Sequence, residues 1–329
     1  MKLSVAMCTY NGEKYISDQL SSILNQTLKV NQIIICDDKS TDNTFNIIKD
    51  FQIQHPGIIS YYENEVNLGT NKNFEKAISL CDGDYIFLSD QDDIWKTNKT
   101  EKIISHFLKN PELEAVFTNA DLINDNNDSF SEKSLWESVY FFENILTKAT
   151  DLFDLIKYKA NMVTGATLCF KNDIKKFIIP IPDTKNCFHD EWIAIIVSSR
   201  KSLGYISDKL ISYRIHSAQQ MGVGKTNQNK KKQIKKINRK ILEANFTLGN
   251  KTPMTFKEIS KISNSHYERY LFFKNLTNNT TTNQSHIFHE LSQENMNLFE
   301  EYETKLKKTN PVFYYFRKIK DKIKGKRQL

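Results

Sequence analysis

The first two hundred residues of the chain predict an α/β fold built around a mostly parallel sheet. Short β-branched runs, such as Leu3–Thr9 and Tyr85–Ser89, alternate with longer segments that have helical periodicity. Two of the runs end in clusters of aspartate, at the strand ends where sheets of this kind bind ligands. Beyond residue 224 the alternation stops and the sequence becomes basic, so we predict a separate helical region there.

The elements of the first part follow one another as expected for βαβ units. Strands are predicted at Leu3–Thr9, Gln32–Cys36, Ile58–Tyr62, Tyr85–Ser89, Ala115–Thr118, Ala166–Phe170 and Leu210–Ile215. Helices are predicted at Glu13–Asn25, Thr41–Phe51, Thr70–Leu80, Asn98–Leu108 and Trp192–Arg200. Because helices of this length connect consecutive strands, most strands should be parallel and their carboxyl ends should share one edge of the sheet.

The last hundred residues carry helical patterns and one long polar stretch. Segments 230–240, 287–307 and 312–327 have apolar side chains at helical spacing, and the polar stretch Asn275–Ser285 predicts a loop. One face of the last helix would hold Val312, Phe316, Ile319 and Ile323. Because the rest of this helix is basic, we expect it to lie on an anionic membrane surface. A solvated helix packed on the first part of the chain is the alternative.

The charge is divided unevenly between the two parts. Residues 1–224 contain 23 Lys and Arg against 30 Asp and Glu, whereas residues 225–329 contain 23 against 9. An acidic body is not typical of a nucleic-acid-binding core, so no nucleic-acid partner is expected. We predict one compact domain over residues 1–224 and a basic helical region over residues 225–329 that attaches to an anionic surface.

Composition and cysteine usage limit the remaining possibilities. With 39% apolar and 12% aromatic residues the chain can bury a substantial core, which excludes wholesale disorder. Residues 2–10 lead directly into polar sequence, so no secretory signal peptide is predicted, and no stretch is long and apolar enough to span a membrane. The five cysteines are odd in number and lack zinc-type spacing, so we expect reduced thiols in a cytoplasmic protein.

Two acidic turns follow predicted strands and are the first candidates for a functional site. One is Asp37–Asp42 (DDKSTD) and the other is Asp90–Asp93 (DQDD). Turn formation, with Ser40 or Thr41 capping the next helix, would explain a single turn of this kind. Two of them on neighbouring strands of one sheet indicate a binding site instead.

The second turn suggests a divalent cation. Its three carboxylates, within four residues, repel one another unless a cation compensates them, and Mg²⁺ or Mn²⁺ prefers such oxygen ligands. A cation there would bind a diphosphate. The sequence has no Walker A motif, no G-x-G-x-x-G and no H-E-x-x-H, which excludes the usual phosphate loops and zinc protease motifs.

Several motifs, in one order over residues 3–222, resemble those of family 2 glycosyltransferases. They are SVAMCTYNG from Ser4, DDKSTD, NLGTNKN from Asn67, and DQDD, which matches the D-x-D metal motif of that family. The strings SDQDDIW from Ser89, HDEW from His189 and YRIH from Tyr213 are similar to a bacterial rhamnosyltransferase-like branch. The resemblance implies a GT-A fold with a Rossmann-like, mostly parallel sheet flanked by helices, followed by a helical C-terminal extension.

The resemblance also implies roles for individual residues. The nucleotide-sugar donor is expected to contact Thr9, Tyr10, Asn11, Asp38, Lys72, Asp90, Gly165 and Arg214. The Mn²⁺ or Mg²⁺ ion is expected on Asp92, Asp93 and His216. Asp190 is the expected general base, with Glu191 as the fallback and His189 orienting either carboxylate. Trp95 and Trp192 are candidates to stack on sugar rings, with core packing as the alternative.

Two positions depart from the family pattern. Lys39 stands where Gly is commoner, which concerns the geometry of the turn more than its chemistry. Lys72 stands where many members have Arg, so an ammonium would meet the phosphate without the bidentate geometry of a guanidinium.

The implied reaction is an inverting transfer of a sugar from a nucleoside-diphosphate donor, dTDP-rhamnose or a UDP-hexose. The acceptor would be a hydroxyl of a growing bacterial surface polysaccharide on a lipid carrier, reached from the cytoplasmic face of the membrane.

A sugar-1-phosphate nucleotidylyltransferase is an alternative, although it should open with a Gly-rich loop containing Arg. A signalling receiver domain should have its acidic pair after the first strand. A nucleic-acid-binding protein that uses the basic tail should bind with salt-dependent affinity.

Overall fold

The computed structural model describes residues 1–129, 132–139, 141, 152–158, 161–184, 187–217, 219, 255–279 and 284–323. The chain divides into two compact units. The first unit is formed by Met1–Ile156 with Asn161–Ile237, and the second by Lys157–Ala160 with Asn238–Leu329. The predicted boundary at residue 224 and the predicted helix at 230–240 lie outside the described residues.

The first unit contains eight strands and eight helices within the described ranges. The strands are β1 (Leu3–Thr9), β2 (Gln32–Asp37), β3 (Ile59–Glu63), β4 (Tyr85–Ser89), β5 (Ile94–Trp95), β6 (Ala115–Ile123), β7 (Leu168–Lys171) and β8 (Leu203–Arg214). The helices are α1 (Ile16–Leu24), α2 (Thr44–Gln54), α3 (Thr70–Leu80), α4 (Lys99–Lys109), α5 (Leu135–Val139), α6 (Leu152–Tyr158), α7 (Lys175–Ile178) and α8 (His189–Ser199).

All eight strands form one mixed sheet in the order β3-β2-β1-β4-β7-β6-β8-β5. The β3-β2-β1-β4 strands are parallel, as is the β6-β8 pair, whereas β7 and β5 run antiparallel to their partners. The predicted α/β fold with a largely parallel sheet is therefore confirmed. The two strands that carry the acidic turns are not neighbours, because each pairs with the opposite side of β1.

The parallel strands are recognisable in the sequence because both of their faces are buried. Leu3–Ala6 in β1, Ile33–Cys36 in β2 and Ile86–Leu88 in β4 are almost completely inaccessible to solvent. Strands buried on both faces appear as continuous apolar runs, which explains why β1 and β4 have the predicted bounds; α3 has its predicted bounds because of its helical periodicity. The strand predicted from Ala166 begins instead at Leu168, because residues 165–167 form a 3₁₀ turn.

The second unit is helical, with α9 (Phe256–Asn279), α10 (Ser285–Thr309) and α11 (Pro311–Ile323). The predicted loop at Asn275–Ser285 is wrong over its first five residues, which continue α9. Leu276 is buried there, and the Asn279 amide donates a hydrogen bond to the Asn275 carbonyl oxygen at 2.8 Å. Polar side chains that bond one turn back are compatible with a helix. None of the described helices is both long and apolar enough to cross a membrane.

Candidate active site

The carboxyl ends of β1, β2 and β4 meet at one edge of the sheet. Thr9 is in register with Asp37, and its hydroxyl donates to an Asp37 carboxylate oxygen at 2.6 Å. The Tyr10 N–H donates to Gln91 Oε1 at 2.8 Å, and Gln91 Nε2 donates to the Tyr10 carbonyl oxygen at 3.0 Å. A β-carbon at Gly12 would lie 2.3 Å from Gln91 Oε1, so this contact requires glycine there. The side chain of Gln91 thus fixes the second acidic turn against the end of β1.

The first acidic turn, Asp37–Asp42, is called the β2 turn here. Asp38 accepts hydrogen bonds from the backbone N–H groups of Leu68 and Gly69 at 2.7 and 2.9 Å, and from the Asn64 amide at 2.8 Å. Asp37 accepts from the backbone N–H and the hydroxyl of Ser40 as well as from Thr9. Both carboxylates are buried and have donors on each oxygen.

Two other residues complete the β2 turn. Asn11 has a left-handed backbone, with φ of 50°, and its side-chain oxygen accepts the Thr41 N–H at 2.8 Å. Neither Ser40 nor Thr41 caps the next helix, as the alternative explanation of this turn would require, because α2 begins at Thr44. Ser40 and Thr41 instead hold the turn to Asp37 and Asn11.

The second acidic turn, Asp90–Asp93, is called the β4 turn. Asp92 Oδ2 lies 2.8 Å from His216 Nε2, so the two predicted metal ligands are brought together across 124 residues of sequence. Asp93 behaves differently. It is fully buried, and one of its oxygens accepts the Arg214 N–H at 3.0 Å, while the other has no hydrogen-bond partner in the described part of the chain. Asp92 is the more accessible of the two predicted aspartate ligands.

Burial and mutual repulsion perturb the carboxylates of the β4 turn. Burial, followed by the nearby charges of Asp92 and Asp190, raises the pKa of Asp90 to about 7. Burial, followed by the charges of Asp92 and Asp90, raises the pKa of Asp93 well above its usual range. The charge of Asp190, the candidate base, therefore acts on Asp90 in the β4 turn.

Lys99 is a charged residue beneath this turn that the sequence analysis did not identify. Its side chain is fully buried, and the ammonium lies 3.8 Å from the centre of the Trp95 ring and donates to the Ala166 carbonyl oxygen at 2.9 Å. Burial lowers the pKa of Lys99 to about 7, while Asp93 and Asp90 favour its charged form. At the start of a helix, a lysine is indistinguishable in sequence from a solvated residue.

Arg214 supports the β4 turn from the end of β8. Its guanidinium donates to the carbonyl oxygens of Asp92 at 2.7 Å and of Asn124 at 2.8 Å. It also lies 4.5 Å from the centre of the Tyr15 ring, and that ring is 4.9 Å from the His216 ring. Arg214 therefore holds the backbone of the metal-binding candidate Asp92, and its Nη2 atom has no partner among the described residues.

Asp190 lies in the first turn of α8. Its oxygens accept hydrogen bonds from the backbone N–H groups of Gly165 at 3.2 Å and of Glu191 at 2.6 Å. Burial raises the pKa of Asp190 to about 7, while these two backbone hydrogen bonds lower it. Asn71, in α3, fixes the start of α8, because its side-chain oxygen accepts the His189 N–H at 2.8 Å.

Three other sequence assignments have a different environment from the one expected. His189 does not orient either carboxylate, because its ring stacks on Phe74 at 3.8 Å and neither ring nitrogen has a partner in the described structure. The Lys72 ammonium pairs with Glu75 at 2.9 Å and donates to the Ile181 carbonyl oxygen at 2.8 Å. Trp95 and Trp192 are buried, which assigns both to the core.

The start of α8 leaves no room for a side chain at Gly165. A β-carbon at Gly165 would lie 2.6 Å from His189 Nε2. Glycine therefore lets its own N–H reach the carboxylate of Asp190.

The donor set fits a divalent cation that is completed by substrate. Within the described ranges, no three His, Cys, Asp or Glu side chains are already arranged as a metal site. Asp92 and His216 supply one carboxylate and one imidazole, and Asp90 lies nearby. Mg²⁺ and Mn²⁺ in such sites use few protein ligands and take the others from substrate phosphates and water.

Comparison with known proteins adds a family and a fold. The family model for glycosyl transferase family 2 matches residues 4–164. The dTDP-rhamnosyl transferase RfbG of Shigella flexneri is 31% identical over 273 residues, which are 79% of this chain and 84% of that protein.

Two solved structures are similar in fold. The structure of S. aureus TarS (residues 1–349) with UDP has a TM-score of 0.52 at 16% identity, covering 94% of this chain and 92% of that one. The mannosyltransferase PcManGT of Pyrobaculum calidifontis, with GDP-Man and Mn²⁺, has a TM-score of 0.50 at 14% identity, covering 95% and 85%. The GT-A fold with a helical C-terminal region is confirmed.

Proposed function

Because this chain belongs to glycosyl transferase family 2, in its rhamnosyltransferase-like branch, we propose that it is an inverting, metal-dependent glycosyltransferase. It takes a sugar from a nucleoside-diphosphate donor and joins it to a hydroxyl of a growing bacterial surface polysaccharide. Asp190 is the general base of this reaction. The observation that carries the proposal is that Asp190 binds the Gly165 N–H, next to the Ala166 carbonyl that Lys99 holds beneath the β4 turn, so the candidate base lies at the acidic edge of the sheet.

The donor is dTDP-rhamnose or a UDP-hexose. The similarity to a dTDP-rhamnosyl transferase over 79% of the chain supports the first. The likeness to TarS with UDP and to PcManGT with GDP-Man supports a nucleoside-diphosphate sugar in general. The donor lies along the ends of β1, β2 and β4, close to Thr9, Tyr10 and Asn11.

The acceptor hydroxyl must lose a proton as its oxygen attacks the anomeric carbon from the face opposite the diphosphate. A carboxylate whose pKa is near 7 is well suited to take that proton at neutral pH. Asp190 meets this requirement, because burial raises its pKa to about 7 while two backbone N–H groups fix its orientation. Glu191 is the fallback, one residue further along α8.

Asp92 and His216 would hold the divalent cation, which would supply positive charge to the diphosphate leaving group. Asp90 faces the ribose, and Asp93 supports the turn from below through its contact with the Arg214 backbone. Arg214 keeps the Asp92 backbone in place. The burial of Asp93 and Arg214, in contrast to the partial exposure of Asp90 and Asp92, supports this division of roles.

The polysaccharide acceptor is carried on a lipid, and the enzyme works at the cytoplasmic face of the membrane. The basic composition of residues 225–329, with 23 Lys and Arg against 9 Asp and Glu, supports attachment of the enzyme to an anionic membrane surface.

The proposal is tested by a donor screen. Purified protein is incubated with dTDP-rhamnose, UDP-hexoses and GDP-mannose in the presence of Mn²⁺ or Mg²⁺, and the release of nucleoside diphosphate is measured. We expect slow hydrolysis of one donor even without an acceptor, and its loss when EDTA removes the cation. Turnover that persists in EDTA would disprove metal dependence, and the absence of turnover with every nucleotide sugar would disprove the donor class.

Inversion is tested separately once the donor is known. The anomeric configuration of the first product formed with an acceptor is compared with that of the donor by NMR. An inverted configuration is expected for a single displacement with one carboxylate base. Retention would remove Asp190 from the role of base.

A further inference from the structure

The charged side of the last helix, α11, packs against the other helices of the second unit. The Arg317 guanidinium donates to Glu303 at 2.8 Å and to the Asn264 side-chain oxygen at 3.2 Å. The Lys318 ammonium lies 3.2 Å from the same glutamate, which is itself buried. Tyr314, between these positions on the helix surface, packs against the apolar cluster of α9 and α10. The contacts of α11 with its own unit therefore combine these ion pairs and hydrogen bonds with the packing of Tyr314, and the Phe313 ring lies 6.1 Å from the Phe256 ring.

The opposite side of α11 is apolar and open to solvent. Val312 is 64% exposed, Phe316 66% and Ile319 57%. These three side chains share one face because they are spaced four and three residues apart. Phe313 and Tyr315 flank them and are also more than half exposed. Five large apolar side chains within eight residues form what is called here the outer face of α11.

This arrangement is the reverse of an ordinary surface helix, which buries its apolar stripe and exposes its charges. Large apolar side chains are exposed singly elsewhere in the protein, as at Ile53 and Leu108. A concentration of them on one helix face indicates an interaction site. The buried pairing of Arg317 with Glu303 fixes the helix in this orientation.

Among the described side chains, the exposed Lys320 lies beside the outer face. The sequence continues with Lys322, Lys324, Lys326 and Arg327, and Asp321 is the only acidic residue after position 303. An apolar stripe beside an exposed lysine, in a segment whose sequence is rich in lysine, fits a surface with anionic headgroups above an apolar interior. A protein partner would need acidic groups around an apolar groove, whereas an anionic bilayer supplies both features everywhere.

We propose that the outer face of α11 docks on an anionic lipid bilayer, with Phe316 and Ile319 entering the headgroup boundary. This inference rests on the proposed function, because only an acceptor attached to a membrane lipid would require the enzyme at the bilayer. Docking would place the catalytic unit beside an acceptor that is confined to the membrane. It requires no spanning helix, because an amphipathic helix lies in the plane of the interface.

Vesicle co-sedimentation of the full chain tests the docking. The wild type is compared on vesicles of phosphatidylcholine with phosphatidylglycerol and on phosphatidylcholine alone, together with the double variant Phe316→Glu/Ile319→Glu. We expect the wild type to bind the anionic vesicles and the double variant to lose about tenfold or more of that binding. The matched control is Leu108→Glu, which changes a side chain that is 69% exposed in the catalytic unit and should bind as the wild type does.

Three results would overturn the docking proposal. They are equal binding of the wild type to neutral and anionic vesicles, unchanged binding by the double variant, and a change of oligomeric state in lipid-free solution that accounts for the exposed face. The donor-hydrolysis assay is run on the same samples without lipid. Because both substituted side chains lie outside the active site, hydrolysis should stay at the wild-type rate. A failure of docking with normal hydrolysis would therefore leave the proposed function intact, and the reverse result would leave docking intact.

Discussion

The two acidic turns lie at the same edge of the sheet but have opposite environments. In the β2 turn, Asp37 and Asp38 are buried and accept hydrogen bonds on all four of their carboxylate oxygens. In the β4 turn, Asp90 and Asp92 remain partly accessible, and Asp90 faces the charges of Asp92 and Asp190. Both turns contain the same residue type after the same kind of strand.

We infer that the supply of hydrogen-bond donors, and not the presence of aspartate, distinguishes the two turns. A carboxylate with donors on both oxygens has its charge compensated by the protein and stabilises its turn. A carboxylate that faces other carboxylates raises the free energy of the empty site, and a cation or a proton relieves it.

The first prediction concerns Asp92, the open carboxylate that contacts His216 at 2.8 Å. Asp92→Asn should lower metal-dependent donor turnover by about a thousandfold or more, because an amide replaces the one charged ligand of a two-ligand site. The fold should stay intact, since the substitution removes a repulsive charge. Nucleoside-diphosphate release with Mn²⁺ and thermal unfolding without metal are the two measurements. Normal turnover with Mg²⁺ or Mn²⁺ would show that the metal assignment is wrong.

The second prediction concerns Asp190, which should act only on the acceptor proton. Asp190→Asn should lower kcat for transfer by roughly 10²- to 10⁴-fold while leaving donor affinity nearly unchanged. Transfer kinetics and donor titration measure the two quantities. Glu191→Gln is the matched control, and we expect it to retain most activity. A nearly normal Asp190→Asn enzyme beside an inactive Glu191→Gln enzyme would move the role to Glu191.

The third prediction is the pH dependence that follows from the raised pKa of Asp190, about 7. Below that pH the carboxyl is protonated and is not a base, so kcat should fall by about tenfold for each further pH unit; above it kcat should level off. The profile is measured at saturating donor and metal. The residual activity of Asp190→Asn should lack this step. A step near pH 4, the usual range of an aspartate, would contradict the buried environment assigned to Asp190.

Sequence patterns predicted the fold well where burial is symmetric. β1, β4 and α3 have their predicted bounds, because strands buried on both faces and a periodic helix leave clear signals. The end of β6 and the first half of β8 were missed, since β8 contains the exposed polar run Ser207–Lys209. The loop predicted at Asn275 was wrong because asparagines can extend a helix when they bond to the preceding turn.

The candidate site was only partly predictable. The pairing of Asp92 with His216 followed from motifs alone, but the sequence gives no sign that Asp93 points into the core or that Lys99 lies beneath it. Such facts depend on which way a side chain points from a turn, and a local pattern does not encode direction. Asn71 lies in the motif NLGTNKN, which marked this segment as part of the candidate site, although the sequence did not indicate that the Asn71 side chain binds the start of α8.

The fourth prediction concerns the β2 turn, where Asp38→Asn is the counterpart of Asp92→Asn in the β4 turn. Asp38→Asn replaces an anion that accepts two backbone N–H groups, at 2.7 and 2.9 Å, and turns an amide N–H₂ towards one of them. We expect a loss of about 2 kcal/mol in the free energy of unfolding. Urea denaturation without metal measures it. Asp92→Asn is the matched control and should change stability by less than about 0.5 kcal/mol, so equal losses would refute the contrast between the turns.

The last prediction is the smallest and concerns strain in the β2 turn. Lys39 has a left-handed backbone, with φ of 69°, which costs an L-residue about 1–2 kcal/mol. Lys39→Gly relieves that strain but gives the unfolded chain more freedom, so we expect a net stabilisation of about 0.5 kcal/mol. Lys39→Ala is the control, because both variants lose the 2.9 Å hydrogen bond from the lysine ammonium to the Glu65 carbonyl oxygen and only the alanine variant keeps the strain.

Urea denaturation should rank the three proteins with Lys39→Gly the most stable and Lys39→Ala the least. A glycine variant that is no more stable than the alanine variant would mean that the turn is not strained. Donor turnover should be the same in all three proteins. The carboxylates of the β2 turn already have hydrogen-bond donors, so a small change in the backbone energy of this turn should not alter Asp90 or Asp92 in the β4 turn.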